Sequence, residues 1–206
     1  MRGLPTEPDA ERPPPIADAL GGPLGVAESV VPSVAFVTAY TATGGELRPS
    51  VIVAVALGAV FALARLARRQ TPQFALAGLI GLGLSAYVAT RTGRAEDFFL
   101  PGLLANAAYA TAYAVSILVR WPLLGVVIAA AAGRNMSWRE DPEEVRRYSR
   151  ASWIWVGLFA LRLAVQLPLY LAGTLVALGV ARVAMGIPLF AAGIWLSWLV
   201  LRRRSS

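Results

Sequence analysis

The residues with the most chemical content are polar or charged ones set inside apolar runs. Arg162 lies in FALRLAVQLPLY, near the middle of a long apolar stretch. A charge at membrane depth costs roughly 2.5–3.5 kcal/mol on insertion scales, so it should face a bundle interior or a water-filled cavity and have a partner. Gln166 follows four residues later and shares its helical face, as do Phe159 and Trp155. A second apolar stretch carries Asn106, Tyr109, Tyr113 and Ser116 at helical spacing, ending in Arg120. Two readings stand: these side chains tie helices together, or they line one polar cavity with Arg162 and Gln166. Arg suits the bidentate binding of a phosphate or carboxylate.

A separate group, Arg94, Glu96 and Asp97, clusters in RTGRAEDFFLPG. Paired carboxylates are candidates for acid–base work or a cation site. Acids in a first helical turn also simply suit the helix dipole. The expectation is an outer ion-pair cluster of Arg94, Glu96, Asp97 and Arg182, with Arg182 reaching an interface. Arg182 becomes a second buried arginine if its helix does not emerge there. Glu28 is expected to pair with Arg120 or with an arginine of 65–69.

The rest of the composition excludes much chemistry. The chain has 206 residues, 57% hydrophobic and 15% charged, with no Cys and no His. It also has no Lys: all 19 basic residues are Arg. Thiolate nucleophiles, the common general base, usual zinc ligands and Schiff-base lysines are therefore missing. No P-loop, dinucleotide fingerprint, GxSxG or metal-ligand cluster occurs. No cofactor is expected, and the reading is non-enzymatic. The net charge of +7 would suit nucleic acid, but most arginines end apolar segments, where membrane topology explains them. Membrane lipids are the expected partners, not nucleic acid.

The elements that must position these residues are membrane spans of about 17–25 residues. Six are expected, at about 24–43, 49–66, 72–90, 98–119, 151–171 and 175–201. Residues 121–133 (WPLLGVVIAAAAG) are too short to cross and are expected to be re-entrant or interfacial. With the N-terminus inside and this piece not crossing, fourteen arginines fall inside and three outside, counting the tail, 65–69, Arg120, 134–150 and 202–204 as inside. Letting it cross would put the arginine excess outside, against the positive-inside rule. The fold class is thus an all-α, polytopic membrane helical bundle of six crossings in a bacterial plasma membrane, both termini cytoplasmic. Residues 1–22, with Pro13-Pro14-Pro15, read as a disordered cytoplasmic tail. Residues 134–150 read as a solvated cytoplasmic loop ending in a short helix capped by Asp141 with Pro142 at its first position, or as a partner-binding platform.

Pro32, Pro168 and Pro188 are expected to kink their helices. Ala77, Gly81, Ser85 and Ala89 make a small-residue packing face. An internal echo pairs QTPQF at 70–74 with QLPLY at 166–170, and transporters often contain internal repeats.

The order Pro32…Phe36…Tyr40, the basic turn at 65–69, RTGRAEDFFLPGLLANA, Trp121-Pro122-Leu123, Trp155…Phe159 and LPLYLAG resembles an actinobacterial integral-membrane family of unknown function. That family is similar to the intracellular septation protein A family. The resemblance covers about 24–203. It implies a plasma-membrane protein linked to envelope biogenesis or septation, acting by protein and lipid contacts, with envelope or division proteins as partners of the 134–150 loop. The rival is a small transporter or channel whose cavity around Arg162 takes an anionic solute or lipid headgroup. A lipid-directed enzyme comes third, with Glu96 and Asp97 as its only acids.

Overall fold

The computed structural model describes residues 22–68, 72–133 and 135–202, with only the backbone for 22–29 and 72–75. The expected tail, the side chain of Glu28 and the arginines at 69, 134, 203 and 204 lie outside the described residues. Among the described residues the chain is all helical. Helices α1 (Gly22–Ala42), α2 (Leu47–Ala67) and α3 (Pro72–Thr92) come first. A 3-10 turn at Ala95–Phe99 then leads into α4 (Leu100–Leu118) and the short α5 (Leu123–Ala131). A second 3-10 turn, Ser137–Glu140, precedes α6 (Pro142–Leu171), and α7 (Leu175–Ala184) and α8 (Ile187–Arg202) close the chain.

Four stretches are long and apolar enough to cross a membrane: Leu47–Ala67, Ala95–Leu118, Pro142–Leu171 and Leu175–Arg202. Their outer faces carry large exposed apolar side chains such as Ile52, Leu118 and Leu171. Contiguous apolar surface on this scale needs lipid around it. This is a membrane protein built from long apolar helices.

The helix ends follow local chemistry. Gly173, between α6 and α7, has φ +67, a left-handed conformation that stops a helix cheaply only in glycine. Arg120 takes the same role after α4 with φ 56, against the preference of a residue with a Cβ. There the Trp121 N–H donates to the Ser116 carbonyl (2.8 Å), and the Leu123 N–H donates to Ser116 Oγ (3.1 Å). Ser116 therefore serves the corner between α4 and α5.

Two expectations about elements need correction. Residues 134–150 do not end in a short separate helix. Asp141 does cap it, accepting the Glu143 N–H at 2.8 Å, with Pro142 in the first turn. The helix then runs unbroken for 30 residues, into and through the expected fifth crossing. No breaker stands between Arg150 and Ala151, so nothing stops it. It is roughly 45 Å long, against about 30 Å of hydrocarbon. The loop before it is also less solvated than expected. Trp138 is buried, edge-on to Tyr148 (5.0 Å) and against Gly125, while the Arg139 guanidinium lies 3.8 Å from the Trp121 ring centre.

The second correction concerns the last crossing. It is not one helix but two, broken at Met185–Gly186. Pro188 has no N–H to give to the Ala184 carbonyl, and Gly186 loosens the chain just before it. Pro32 and Pro168, by contrast, lie within continuous helices. Residues 121–133 form the nine-residue α5, about 14 Å long and too short to cross. The internal echo does not extend to structure: Pro72 opens α3, whereas Pro168 lies three residues from the end of α6. Of the small-residue face, Ser85 and Ala89 are buried, while Ala77 and Gly81 stay exposed.

Two apolar clusters hold the bundle. In one, Phe36 of α1 stacks on Phe98 at 4.0 Å, Phe99 meets them edge-on, and Ala54, Ala89, Leu175 and Leu178 close around them. In the other, Leu124, Ala151, Trp155 and Leu158 join α5 and α6, with Phe190 and Ile194 of α8 against them. Gly193 admits Leu158 so closely that a Cβ there would lie 2.7 Å from it. Trp155 Nε1 donates to Ser197 Oγ at 3.0 Å, fixing α8 on α6.

Candidate functional site: a cavity with two arginines

Against the second cluster lies a cavity of about 1000 Å³, walled mainly by α4, α5, α6 and α8 with Arg182 and Val183 of α7. The sequence stripes meet there. Asn106, Tyr109 and Tyr113 come from α4, Arg162 and Gln166 from α6, and all five line it. Helical spacing put each set on one face, and α4 packs along α6, so the two faces meet. Tyr109 stacks on Phe159 at 5.4 Å and Tyr113 on Trp155 at 6.1 Å.

Arg162 finds its partner in backbone. Its Nη2 donates to the carbonyls of Met185 (2.5 Å) and Gly186 (2.7 Å), the two residues at the break between α7 and α8. A helix that stops inside apolar surroundings leaves carbonyls that only another group can satisfy. A cation at that C-terminal end also meets the negative pole of the helix. Arg162 is thus tied to the break, while its Nε is buried without a partner among the described residues.

Arg182 is not in the expected outer cluster. Helix α7 begins at Leu175, so Arg182 is seven residues in, roughly 10 Å along the axis from its start. That depth carries it away from the acids and into the cavity wall. Its guanidinium is laid over Gly102, where a Cβ would lie 2.2 Å from Nη1, and it is 5.4 Å from the Phe99 ring centre. It has no hydrogen bond or ion pair with any described residue. Gln166 is 3% exposed and likewise has no hydrogen-bond partner among them. Asn106 Nδ2 donates only to the Gly102 carbonyl of its own helix (3.0 Å). Among the described residues no carboxylate lines this cavity.

The remaining outer residues form a small corner. Arg94 Nε is 3.9 Å from Glu96 Oε2, and the Arg94 guanidinium lies 5.7 Å from the Tyr170 ring centre. The Tyr170 hydroxyl donates to Asp97 Oδ1 at 2.5 Å. Asp97 is buried and thereby joins the 3-10 turn to the end of α6. This arrangement does the work of a clasp and leaves no pair of facing carboxylates. Among the described residues no cluster of three His, Cys, Asp or Glu side chains could hold a metal.

Some contributors were not singled out from sequence: Gly102, which makes room for Arg182, and Gly186, whose carbonyl takes Arg162. Their signals were present, Pro101-Gly102 at a helix start and Gly186-Ile187-Pro188 inside an apolar run.

A family described as a protein of unknown function, DUF3159, matches residues 20–206. The chain belongs to this family. The match covers everything but the first 19 residues, so the cavity lies wholly within the DUF3159 region. No curated protein and no solved structure matches the chain.

Proposed function

We infer that this DUF3159 protein is a non-enzymatic, multi-pass plasma-membrane protein that accommodates an anionic group in its central cavity, as a small transporter or carrier. The observation that carries this reading is the pair of guanidiniums, Arg162 and Arg182, lining one cavity with no carboxylate among the described lining residues. Two positive charges facing one partly desolvated space attract an anion far more strongly than they would in water. Gln166 and the Tyr113 hydroxyl add donors for its oxygens. The six crossings belong to this proposal: α1, α2, α3, α4, α6 and the α7–α8 pair, with α5 on the cytoplasmic side and both termini inside.

The rival reading is an accessory factor in envelope biogenesis or septation, expected from the sequence order alone; no curated protein matches the chain. The 134–150 segment that would meet such a partner is partly committed to its own chain through Trp138 and Arg139.

Anion flux in proteoliposomes separates the two. Arg182→Gln is the informative variant, because Arg182 has no hydrogen bond or ion pair with any described residue to lose, only its contact with the Phe99 ring. Anion flux in wild type that falls with Arg182→Gln at matched folding supports the cavity reading. Absence of flux for inorganic anions and for labelled lipids alike moves the assignment to the accessory role.

A further inference from the structure

A second cavity of about 500 Å³ lies beside the first, between α2, α3 and α4. Its walls mix small residues such as Gly58, Gly78 and Gly81 with the larger apolar Phe61, Leu82 and Phe98. Ala77, Gly78 and Gly81 are exposed on α3, so it opens as a groove on the lipid-facing surface. Arg182 lines both cavities, as do Ser33 and Gly102. Arg182, with no hydrogen bond or ion pair to any described residue, therefore stands where the two cavities meet and the second opens toward the bilayer.

We propose that this junction is a binding site for an anionic membrane amphiphile, its phosphate or carboxylate headgroup held by Arg182 and its hydrocarbon chain lying in the α3–α4 groove. The proposal rests on the anion reading above and adds the class of ligand. A free inorganic anion would need the charge and not the channel. A neutral lipid would need the channel and leave Arg182 unanswered. Arg182 lies over the first turn of α4, whose helix dipole is positive, and near Arg162, so its surroundings worsen its isolation until an anion arrives. Gln166, buried and without a hydrogen-bond partner among the described residues, lines the first cavity with Arg162 and can donate to a further headgroup oxygen.

The test uses full-length protein in a neutral maltoside detergent. Binding is measured for fluorescent phosphatidylglycerol, with fluorescent phosphatidylcholine as baseline and inorganic phosphate as competitor. Wild type should bind the anionic lipid in preference to the neutral one. Arg182→Gln should weaken it by roughly tenfold or more, the loss of a charge-assisted contact. Gly81→Phe, which plugs the groove from a position with no atom within 4 Å of its Cβ, should weaken it similarly. Gly81→Ala, which adds only that Cβ, should bind as wild type and controls for folding. Undiminished lipid binding by Gly81→Phe, or inorganic phosphate binding at Arg182 as tightly as the lipid, overturns the amphiphile and leaves the anion reading standing. Indifference of both lipid and phosphate to Arg182→Gln overturns both.

Discussion

Arg162 and Arg182 are the same residue type on neighbouring walls, yet their surroundings separate them. Arg162 satisfies two carbonyls at a helix break; Arg182 satisfies none. A lysine keeps the charge, but its shorter stem ends before the point where the single Arg162 Nη2 meets both carbonyls. Arg162→Lys should therefore cost about 1–2 kcal/mol in reversible SDS unfolding, the range of a membrane hydrogen bond or two. Arg182→Lys should stay within about 0.5 kcal/mol of wild type, as a substitution that breaks no bond does. Equal losses in the two would mean that the carbonyl contacts contribute nothing. Arg120 offers a second residue-scale test. Its left-handed backbone suits glycine, so Arg120→Gly should stabilise by about 1 kcal/mol in the same assay. The cavity's polar residues were legible because a 3.6-residue period is written in the order of side chains. The location of Arg182 was left open between an interface and a second buried arginine, because it depends on where α7 starts, which Gly173 and the contacts of Leu175 and Leu178 decide.

Single helices were readable where their limits are chemical. Asp141-Pro142 marked the start of α6, and its bond to the Glu143 N–H follows the capping rule. Asp141→Ala should cost about 1 kcal/mol, and Asp141→Ser should restore most of it. Stability of the two variants in one detergent decides the matter. The unbroken passage of α6 from a charged end into an apolar one was harder to read, because composition changes at residue 150 while helix propensity does not. The break at Met185–Gly186 was legible only as a kink at Pro188. Gly186 and Pro188 weaken the helix there, but the opened carbonyls are tolerable only because Arg162 reaches them from another helix. Gly193 has a comparable tertiary cause. Gly193→Val should push Leu158 aside and lower stability by roughly 1–3 kcal/mol, the usual cost of overpacking.

The whole molecule was legible as a class and less so as an arrangement. Apolar runs announced a helical membrane protein, and the arginine distribution gave an orientation that needs its own test. The natural absence of cysteine makes that test clean. Ser137 is exposed in the 3-10 turn before α6. Ser137→Cys should react with a membrane-impermeant maleimide only after cells are opened. Labelling of intact cells would reverse the proposed topology. The packing of the two clusters could not be read from any one segment, since Phe36, Phe98 and Leu178 are distant in sequence and meet only once the helices associate.

The bond between Arg162 and the α7–α8 break also orders events during synthesis. Its acceptors come 23 and 24 residues after the arginine in the chain. At about 5–20 residues per second, translation leaves α6 without them for about 1–5 s. Through that interval the ribosome has delivered a helix whose charge has no answer in the lipid. Release of α6 into the bilayer should therefore wait for α8, so that the two leave the insertion machinery as one unit. A nascent chain stalled shortly after Arg182 would keep α6 beside the translocon, and one extended past Arg202 would let it go.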